Sequence, residues 1–171
     1  IEPSGLPKKI QEKIYEKLNK ALNALEVTNS ATHSEFKITE NGEIKIIEIG
    51  ARMGGDCIGS DLVRLSTGYD YIKMVIDVAT GNKPVLKKIT DPKVAGIKFI
   101  LNENDMQNYE KVKNEMPEII YRSSNIERVG EHKVTDSSTR FGFYILVADT
   151  VEKIGWLFNN EWWKKWNKAR I

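Results

Sequence analysis

The chain has 171 residues, of which 40% are hydrophobic and 29% are charged, and this composition excludes intrinsically disordered, collagen-like and disulfide-rich proteins. Its 26 lysine and arginine residues nearly balance its 24 aspartate and glutamate residues. The formal net charge of +2 therefore gives no general electrostatic argument for binding to nucleic acid or to acidic membranes.

A helix is the first element that the sequence predicts. Between Pro7 and Leu25, apolar side chains recur at intervals of three and four residues, which places them on one helical face. We expect Ser4 to cap this helix and Pro7 to lie in its first turn. The segment is therefore predicted to be an amphipathic helix.

An antiparallel hairpin is predicted next. Residues 32–38 and 43–49 are rich in β-prone side chains, and Asn41 and Gly42 lie between them. An Asn-Gly pair is a strong hairpin signal because both residues tolerate a positive φ. The irregular, glycine-containing segment 50–56 that follows the hairpin is predicted to be a loop.

The remaining elements mix helices and strands without strict alternation. The predicted order is helices within 59–66 and 69–79, a strand at 94–101, a helix that Asp105 caps and that ends before Pro117, strands at 119–123 and 141–147, and a helix that Asp149 caps. This mixture favours an α+β fold, in which helices flank an antiparallel sheet. We expect two parts, residues 1–90 and an extension at 91–171 that packs on them.

Two glutamates on the predicted hairpin are candidates for a metal site. If Asn41 and Gly42 form the turn, Glu35 and Glu48 lie opposite each other. Two like charges in this arrangement destabilise a strand pair unless a cation lies between them. Mg²⁺ is held by one or two carboxylates together with phosphate oxygens, so the pair fits half of a metal–nucleotide site. Two solvated glutamates on an exposed sheet face are the alternative.

The alternation of side chains along a strand predicts which residues share the carboxylate face. His33, Lys37 and Ile46 are expected on the same face as the two glutamates. The residues expected on the opposite face are Phe36, Ile38, Ile47 and Ile49.

Arg52 lies four residues after Glu48, in a loop that also contains Gly54 and Gly55. A guanidinium group matches the geometry of phosphate or carboxylate, and glycines let a ligand approach the backbone closely. Asp56 is placed to cap the helix that follows. The alternative for Arg52 is an ordinary surface arginine.

The hairpin and its loop resemble a known family. Thr32-His33-Ser34-Glu35-Phe36-Lys37-Ile38, followed after the turn by Ile46-Ile47-Glu48-Ile49-Gly50-Ala51-Arg52-Met53-Gly54-Gly55, is similar to the carboxyl-terminal half of the ATP-grasp domain of carboxylate–amine ligases. The resemblance spans about residues 1–81. Within the family, Gly-x-Arg followed by Gly-Gly is more similar to the amino-acid ligases than to the biotin carboxylases.

This resemblance implies an ATP-dependent ligase that activates a carboxylate as an acyl phosphate and transfers it to an amine or a similar nucleophile. In such a ligase, Glu35 and Glu48 would hold Mg²⁺, or Mn²⁺, against the phosphates of ATP, and Lys37 would be a further ATP-binding residue. Arg52 would act catalytically on the transferred phosphoryl group. The residues that would bind the substrate are Arg52, Gly54, Gly55 and Asp56.

Two departures from the family pattern bear on the expected activity. Many members carry a metal-binding asparagine at the position where this sequence has Gly50. The sequence also lacks the glycine-rich phosphate loop and the lysine-bearing strand with which the family grips ATP. We therefore expect the chain to be a carboxyl-terminal fragment that needs the upstream ATP-grasp subdomain and is inactive alone.

A non-catalytic binding module is the alternative function. In such a module, the Gly54-Gly55 loop and the basic, tryptophan-rich tail at 162–168 would hold an acidic partner. We expect the tail to dock instead on the domain or on a second subunit, so a homodimer is compatible with the sequence. The single cysteine, Cys57, and the lack of a long apolar run predict a cytoplasmic protein without membrane or nucleic-acid partners.

Overall fold

The computed structural model describes residues 3–158, and the tryptophan-rich tail at 162–168 lies outside them. The chain divides into two units. The first, which we call the hairpin unit, contains residues 5–64 and 68–90. The second, the sheet unit, is built mainly from residue 91 onward. Within the described residues, no helix is long and apolar enough to span a bilayer.

Helix α1 (Lys8–Ala24) opens the hairpin unit, inside the segment that the apolar periodicity predicts. The expected cap at Ser4 is wrong, because Pro7 occupies the cap position. The Pro7 carbonyl oxygen accepts hydrogen bonds from the backbone N–H groups of Ile10 and Gln11, at 2.8 and 3.1 Å. The extended backbone of Pro7 ends the preceding segment, so the helix begins at the next residue.

Strands β1 (His33–Ile38) and β2 (Ile44–Gly50) form the predicted antiparallel hairpin. The turn closes with a hydrogen bond from the Gly42 N–H to the Thr39 carbonyl oxygen, at 2.9 Å. Gly42 has a φ of 78°, whereas Asn41 does not take the positive φ that an Asn-Gly pair suggests. The turn is therefore longer than a two-residue Asn-Gly turn and needs glycine only at its last position.

A β-bulge at Ile47 changes the predicted assignment of faces. Glu35 pairs with Glu48, as predicted, but the next residue, Phe36, pairs with Ile46. The prediction that Ile46 lies beside the carboxylates is therefore wrong, because the extra residue on β2 moves it to the Phe36 face. Ile47, which strict alternation places on that apolar face, is 63% exposed.

Three helical segments follow the hairpin: a five-residue π-helical turn (Ile58–Leu62), α2 (Val63–Thr67) and α3 (Tyr71–Ala79). Gly68 ends α2 with a φ of 81°, and its carbonyl oxygen accepts a hydrogen bond from the Ile89 N–H at 2.8 Å. A β-carbon at Gly68 would lie 2.2 Å from the Thr90 carbonyl oxygen. A side chain at position 68 would therefore collide with the 89–90 segment, which packs against the chain between α2 and α3.

The sheet unit contains a three-stranded antiparallel sheet with the strand order β3-β5-β4. Its elements are β3 (Val94–Ile100), α4 (Glu103–Glu115), β4 (Ile120–Ser123), β5 (Gly142–Ala148) and α5 (Val151–Gly155), with 3₁₀ turns at Pro117–Ile119, Ser137–Thr139 and Trp156–Phe158. Strand β5 is central, and its residues Tyr144, Ile145 and Leu146 are fully buried. The antiparallel sheets and the helices confirm the predicted α+β class.

Two of the predicted helix caps are wrong by a few residues. Asn102, and not Asp105, caps α4, and its side-chain oxygen accepts a hydrogen bond from the Asp105 N–H at 3.1 Å. Thr150, and not Asp149, occupies the cap position of α5. Asp149 forms an ion pair with Lys93 instead, and the hydrogen bond and charge of Lys93 hold the pKa of this carboxyl below its usual value.

Candidate functional site

The hairpin places two carboxylates directly across from each other. Glu35 and Glu48 are cross-strand partners, and their side chains are 53% and 59% exposed. Side chains that face each other across an antiparallel pair have β-carbons roughly 5 Å apart, so both carboxylates reach a common point above the sheet. The pair therefore occupies one open face of the hairpin unit.

Arg52 reaches the same face from the loop that follows β2. Its Nη2 atom lies 3.9 Å from Oε1 of Glu48, and Nη1 donates a hydrogen bond to the Met53 carbonyl oxygen at 3.0 Å. The Arg52 side chain is 62% exposed. An ion pair this exposed contributes little to stability, so the guanidinium group is able to turn toward a ligand at small cost.

His33 borders the carboxylates on the other side. It is the first residue of β1, lies opposite Gly50, and places Nε2 3.7 Å from Oε1 of Glu35. Its side chain is 24% exposed, so it is the least exposed of the charged or titratable groups on this face that are described above. The prediction that His33 shares the carboxylate face agrees with this geometry.

Lysines form the next cross-strand pair on this face. Lys37 is paired with Lys45, one step further toward the turn than the Phe36 and Ile46 pair. Lys45 forms an ion pair with Glu43 at 2.7 Å, and this hydrogen bond lowers the pKa of the Glu43 carboxyl. The hairpin face is thus negative near the loop and positive near the turn.

The loop between β2 and the π-helical turn has an unusual backbone. Asp56 and Cys57 have φ values of 49° and 61°, in the left-handed region that side chains disfavour. The turn begins with a hydrogen bond from the Ile58 N–H to the Gly55 carbonyl oxygen, at 2.8 Å. Cys57 occupies the cap position, so the expectation that Asp56 caps this helical segment is wrong. The two consecutive positive φ values move the start of the turn beyond Asp56.

The three glycines of this region are not equivalent. A β-carbon at Gly54 would lie 2.9 Å from Nδ1 of His33 and 3.0 Å from Cγ2 of Ile58. A β-carbon at Gly59 would lie 2.9 Å from the Gly54 carbonyl oxygen. At Gly55 a β-carbon would have no atom within 4 Å. Close packing therefore requires glycine at 54 and 59, whereas position 55 faces open space.

The carboxylate pair fits a divalent cation that takes its other ligands from elsewhere. Among residues 3–158, no group of three or more His, Cys, Asp or Glu side chains is placed to hold a metal ion. Glu35 and Glu48 offer two carboxylates and an open side, which suits Mg²⁺ when phosphate oxygens and water complete its shell. A β-carbon at Gly50 would meet nothing closer than Cγ of Arg52, at 3.5 Å, so the position of the family's asparagine has room for a side chain.

The structure brings together most of the predicted site residues. Glu35, Glu48 and Arg52 lie on one face, with Lys37 at the next outward-facing pair. Gly54 packs on this face through His33, whereas Gly55 lies beside open space. Sequence reasoning missed the bulge and the contact between His33 and Gly54, because neither follows from spacing along the chain.

Comparison with known proteins finds a match to a family model in the first part of the chain. Residues 1–61 match the family model described as the ATP-grasp domain. Over 78 residues, the chain is 35% identical to the alanine–anticapsin ligase of Bacillus subtilis strain 168. This match covers 46% of the chain and 16% of the relative, so the matched segment corresponds to a small part of that ligase.

Solved structures agree with the fold over nearly the whole chain. Phosphoribosylglycinamide synthetase from Anaerococcus prevotii superimposes with a TM-score of 0.70 at 22% identity, over 92% of this chain and 42% of that chain. The L-amino acid ligase from Bacillus licheniformis gives 0.69 at 22% identity, over 93% of this chain and 41% of that chain. These matches confirm the fold and, with the family model, the resemblance to ATP-grasp ligases. The chain spans about two fifths of the solved relatives.

Proposed function

We propose that this chain, as a relative of the ATP-grasp ligases, supplies the metal and phosphate half of the active site of a carboxylate–amine ligase. The observation that carries the proposal is the placement of Glu35 and Glu48 as exposed cross-strand partners with Arg52 beside them. Two facing carboxylates weaken a hairpin unless they bind a cation. An arginine beside them suits an anion that the cation also contacts.

The roles of the residues follow from their charge and exposure. Glu35 and Glu48 would hold Mg²⁺, which when bound neutralises charge on the phosphates of ATP. Arg52 would donate two parallel hydrogen bonds to the phosphoryl group that is transferred. Lys37, at the next pair on the face, would contact a more distant part of the nucleotide.

The proposed reaction has two steps. A carboxylate oxygen of the substrate attacks the γ-phosphorus of ATP, and ADP leaves as an acyl phosphate forms. The nitrogen of an amine then attacks the acyl carbon, the bond to the phosphate oxygen breaks, and the nitrogen loses a proton. Arg52 contributes to the first step by stabilising negative charge that is already in place before transfer and grows during it.

Amino acids are the proposed substrates. The support is the 35% identity to a ligase whose name specifies alanine and anticapsin, and the fold that the chain shares with an L-amino acid ligase. Gly54, Gly55 and Asp56 follow Arg52 directly and would border the substrate. The nucleotide clamp would come from an upstream ATP-grasp subdomain, so we expect the 171-residue chain not to hydrolyse ATP by itself.

The test of this function uses the longest natural form of the protein that contains this chain. Incubation with ATP, Mg²⁺ and pairs of amino acids should give ADP, phosphate and a dipeptide, and hydroxylamine should trap the acyl phosphate as a hydroxamate. Glu48→Gln should abolish formation of the dipeptide and of the hydroxamate. Glu43→Gln, which changes an exposed glutamate next to the turn, should leave both intact. Equal loss in the two variants, or hydroxamate formation that survives in Glu48→Gln, would contradict the proposal.

A further inference from the structure

We propose that His33 is a positioning residue that joins the glycine loop to Glu35. The inference deepens the proposed function and rests on it for the ligand, but the coupling between His33 and the loop can be measured without any ligand. A histidine at this place in the strand could be a purely structural residue or a substrate contact. The geometry favours a third role, in which the two ring nitrogens face two different parts of the site.

The first contact is with the glycine loop. Nδ1 of His33 lies 2.9 Å from the place where a β-carbon of Gly54 would be, closer than such atoms approach in proteins. The backbone of Gly54 does not have a positive φ, so its conformation does not require glycine. The imidazole ring and Ile58 therefore determine that position 54 has no side chain.

The second contact is with the carboxylate. Nε2 of His33 lies 3.7 Å from Oε1 of Glu35, which is too long for a hydrogen bond but places the ring directly beside the carboxylate. The same ring thus lies between the loop backbone and a carboxylate that is proposed to bind metal. A shift of the loop that moved the ring would also change the surroundings of Glu35.

Burial separates His33 from the groups that would contact a ligand directly. Its side chain is 24% exposed, whereas those of Glu35, Glu48 and Arg52 are 53 to 62% exposed. The ring is mostly covered and lies beside two functional elements, the Gly54 backbone and the Glu35 carboxylate. His33 is therefore assigned a positioning role and not a catalytic one.

A double-mutant cycle tests the contact with the loop. Gly54→Ala should lower the folding equilibrium constant about tenfold or more, because the new methyl group overpacks against the ring. In a His33→Ala background the same substitution should cost a smaller factor, because only the close contact with Ile58 remains. That contact is present in both backgrounds and cancels in the cycle, so the difference between the two costs measures the coupling between His33 and position 54. Gly55→Ala, where the added methyl group meets open space, is the matched control and should show no coupling with His33.

A spectroscopic comparison tests whether the ring acts through its nitrogens or only through its bulk. In ¹³C and ¹⁵N spectra of the 171-residue chain, His33→Leu should shift the Glu35 carboxyl and Gly54 amide resonances. His33→Gln, which retains a polar group near the position of Nε2, should bring the Glu35 resonance back toward the wild-type position. Titration with Mn²⁺, followed by electron paramagnetic resonance, should show weaker binding in His33→Leu and recovery in His33→Gln.

The outcomes separate this inference from the proposed function. Additive effects of His33→Ala and Gly54→Ala, or equal behaviour of His33→Leu and His33→Gln in the Glu35 resonance, would overturn the positioning role. Wild-type protein that does not bind Mn²⁺ would instead contradict the proposed metal site. In that case the double-mutant cycle and the Glu35 resonance still decide the role of His33.

Discussion

Glu35 and Glu48 lie directly opposite each other across the hairpin, at the last pair before the bulge at Ile47. On the loop side of the bulge, the two carboxylates face each other. On the turn side, Ile46 and Ile44 pair with residues of the apolar face of β1. Bulges are common next to functional sites, where they direct a side chain without ending the strand. The first prediction rests on this relationship between the two glutamates.

The first prediction concerns the repulsion within the carboxylate pair. Glu35→Gln should stabilise the metal-free chain by about 0.2–1 kcal/mol, because it removes a like charge that faces Glu48 directly. Among the described residues, Glu35 has no lysine or arginine partner whose loss would offset this gain. Urea denaturation without metal measures the effect. A loss of stability in Glu35→Gln would show that the two carboxylates do not repel each other in the folded chain.

The second prediction uses the room for a side chain at Gly50. Gly50→Asn should tighten Mn²⁺ binding, on the order of tenfold, because an amide oxygen on the same face as Glu48 adds a ligand. Gly50→Ala is the control, since both substitutions fit the available room but only asparagine offers an oxygen. Calorimetric titration with Mn²⁺ compares the three proteins. If alanine and asparagine have the same effect, the position does not border the cation.

The third prediction concerns Arg52. Arg52→Lys keeps the positive charge but loses the planar pair of donors, so kcat of the ligase should fall about a hundredfold while the KM for ATP changes less. Steady-state kinetics of the longest natural form of the protein measure both constants. A fall in kcat of less than about threefold would leave Arg52 as an ordinary loop residue.

The extent to which the sequence predicts this structure differs between elements. Helix α1 and the hairpin follow from apolar periodicity and from the Asn41-Gly42 signal, because both are local. The bulge does not follow, because alternation assumes that each residue has one partner across the strand pair. The bulge is recognised only from the pairing itself, in which Glu35 faces Glu48 but the next residue, Phe36, faces Ile46.

Contacts between distant parts of the chain explain the other differences. Caps were expected at the nearest acidic residue, as at Asp105. A cap must be the residue directly before the first helical residue, and in α4 that residue is Asn102. The need for glycine at 54 comes from the nearby Ile58 and from His33, which is 21 residues away in the sequence but adjacent in space. The candidate site was predictable in its charged residues and not in the packing that positions them.

The fourth prediction concerns the sheet unit. The Tyr144 hydroxyl is buried without a hydrogen-bond partner among the described residues, and this burial raises the pKa of Tyr144 to about 12. Tyr144→Phe should therefore leave stability at neutral pH unchanged or slightly higher. Because the folded-state pKa is above the ordinary value of about 10, wild-type stability should fall as the pH rises from about 10 toward 12. Denaturation at several pH values would contradict this if the wild type and Tyr144→Phe lost stability in parallel.

The last experiment asks whether the carboxylate face of the hairpin binds a divalent metal together with phosphate, as proposed. The test is paramagnetic broadening by Mn²⁺ and ATP in the ¹⁵N spectrum of the longest natural form of the protein that contains this chain. We expect broadening to be strongest around Glu35, Glu48 and Arg52 and to disappear in the double variant Glu35→Gln, Glu48→Gln. Broadening centred elsewhere, or broadening at these residues that survives in the double variant, would contradict the proposal.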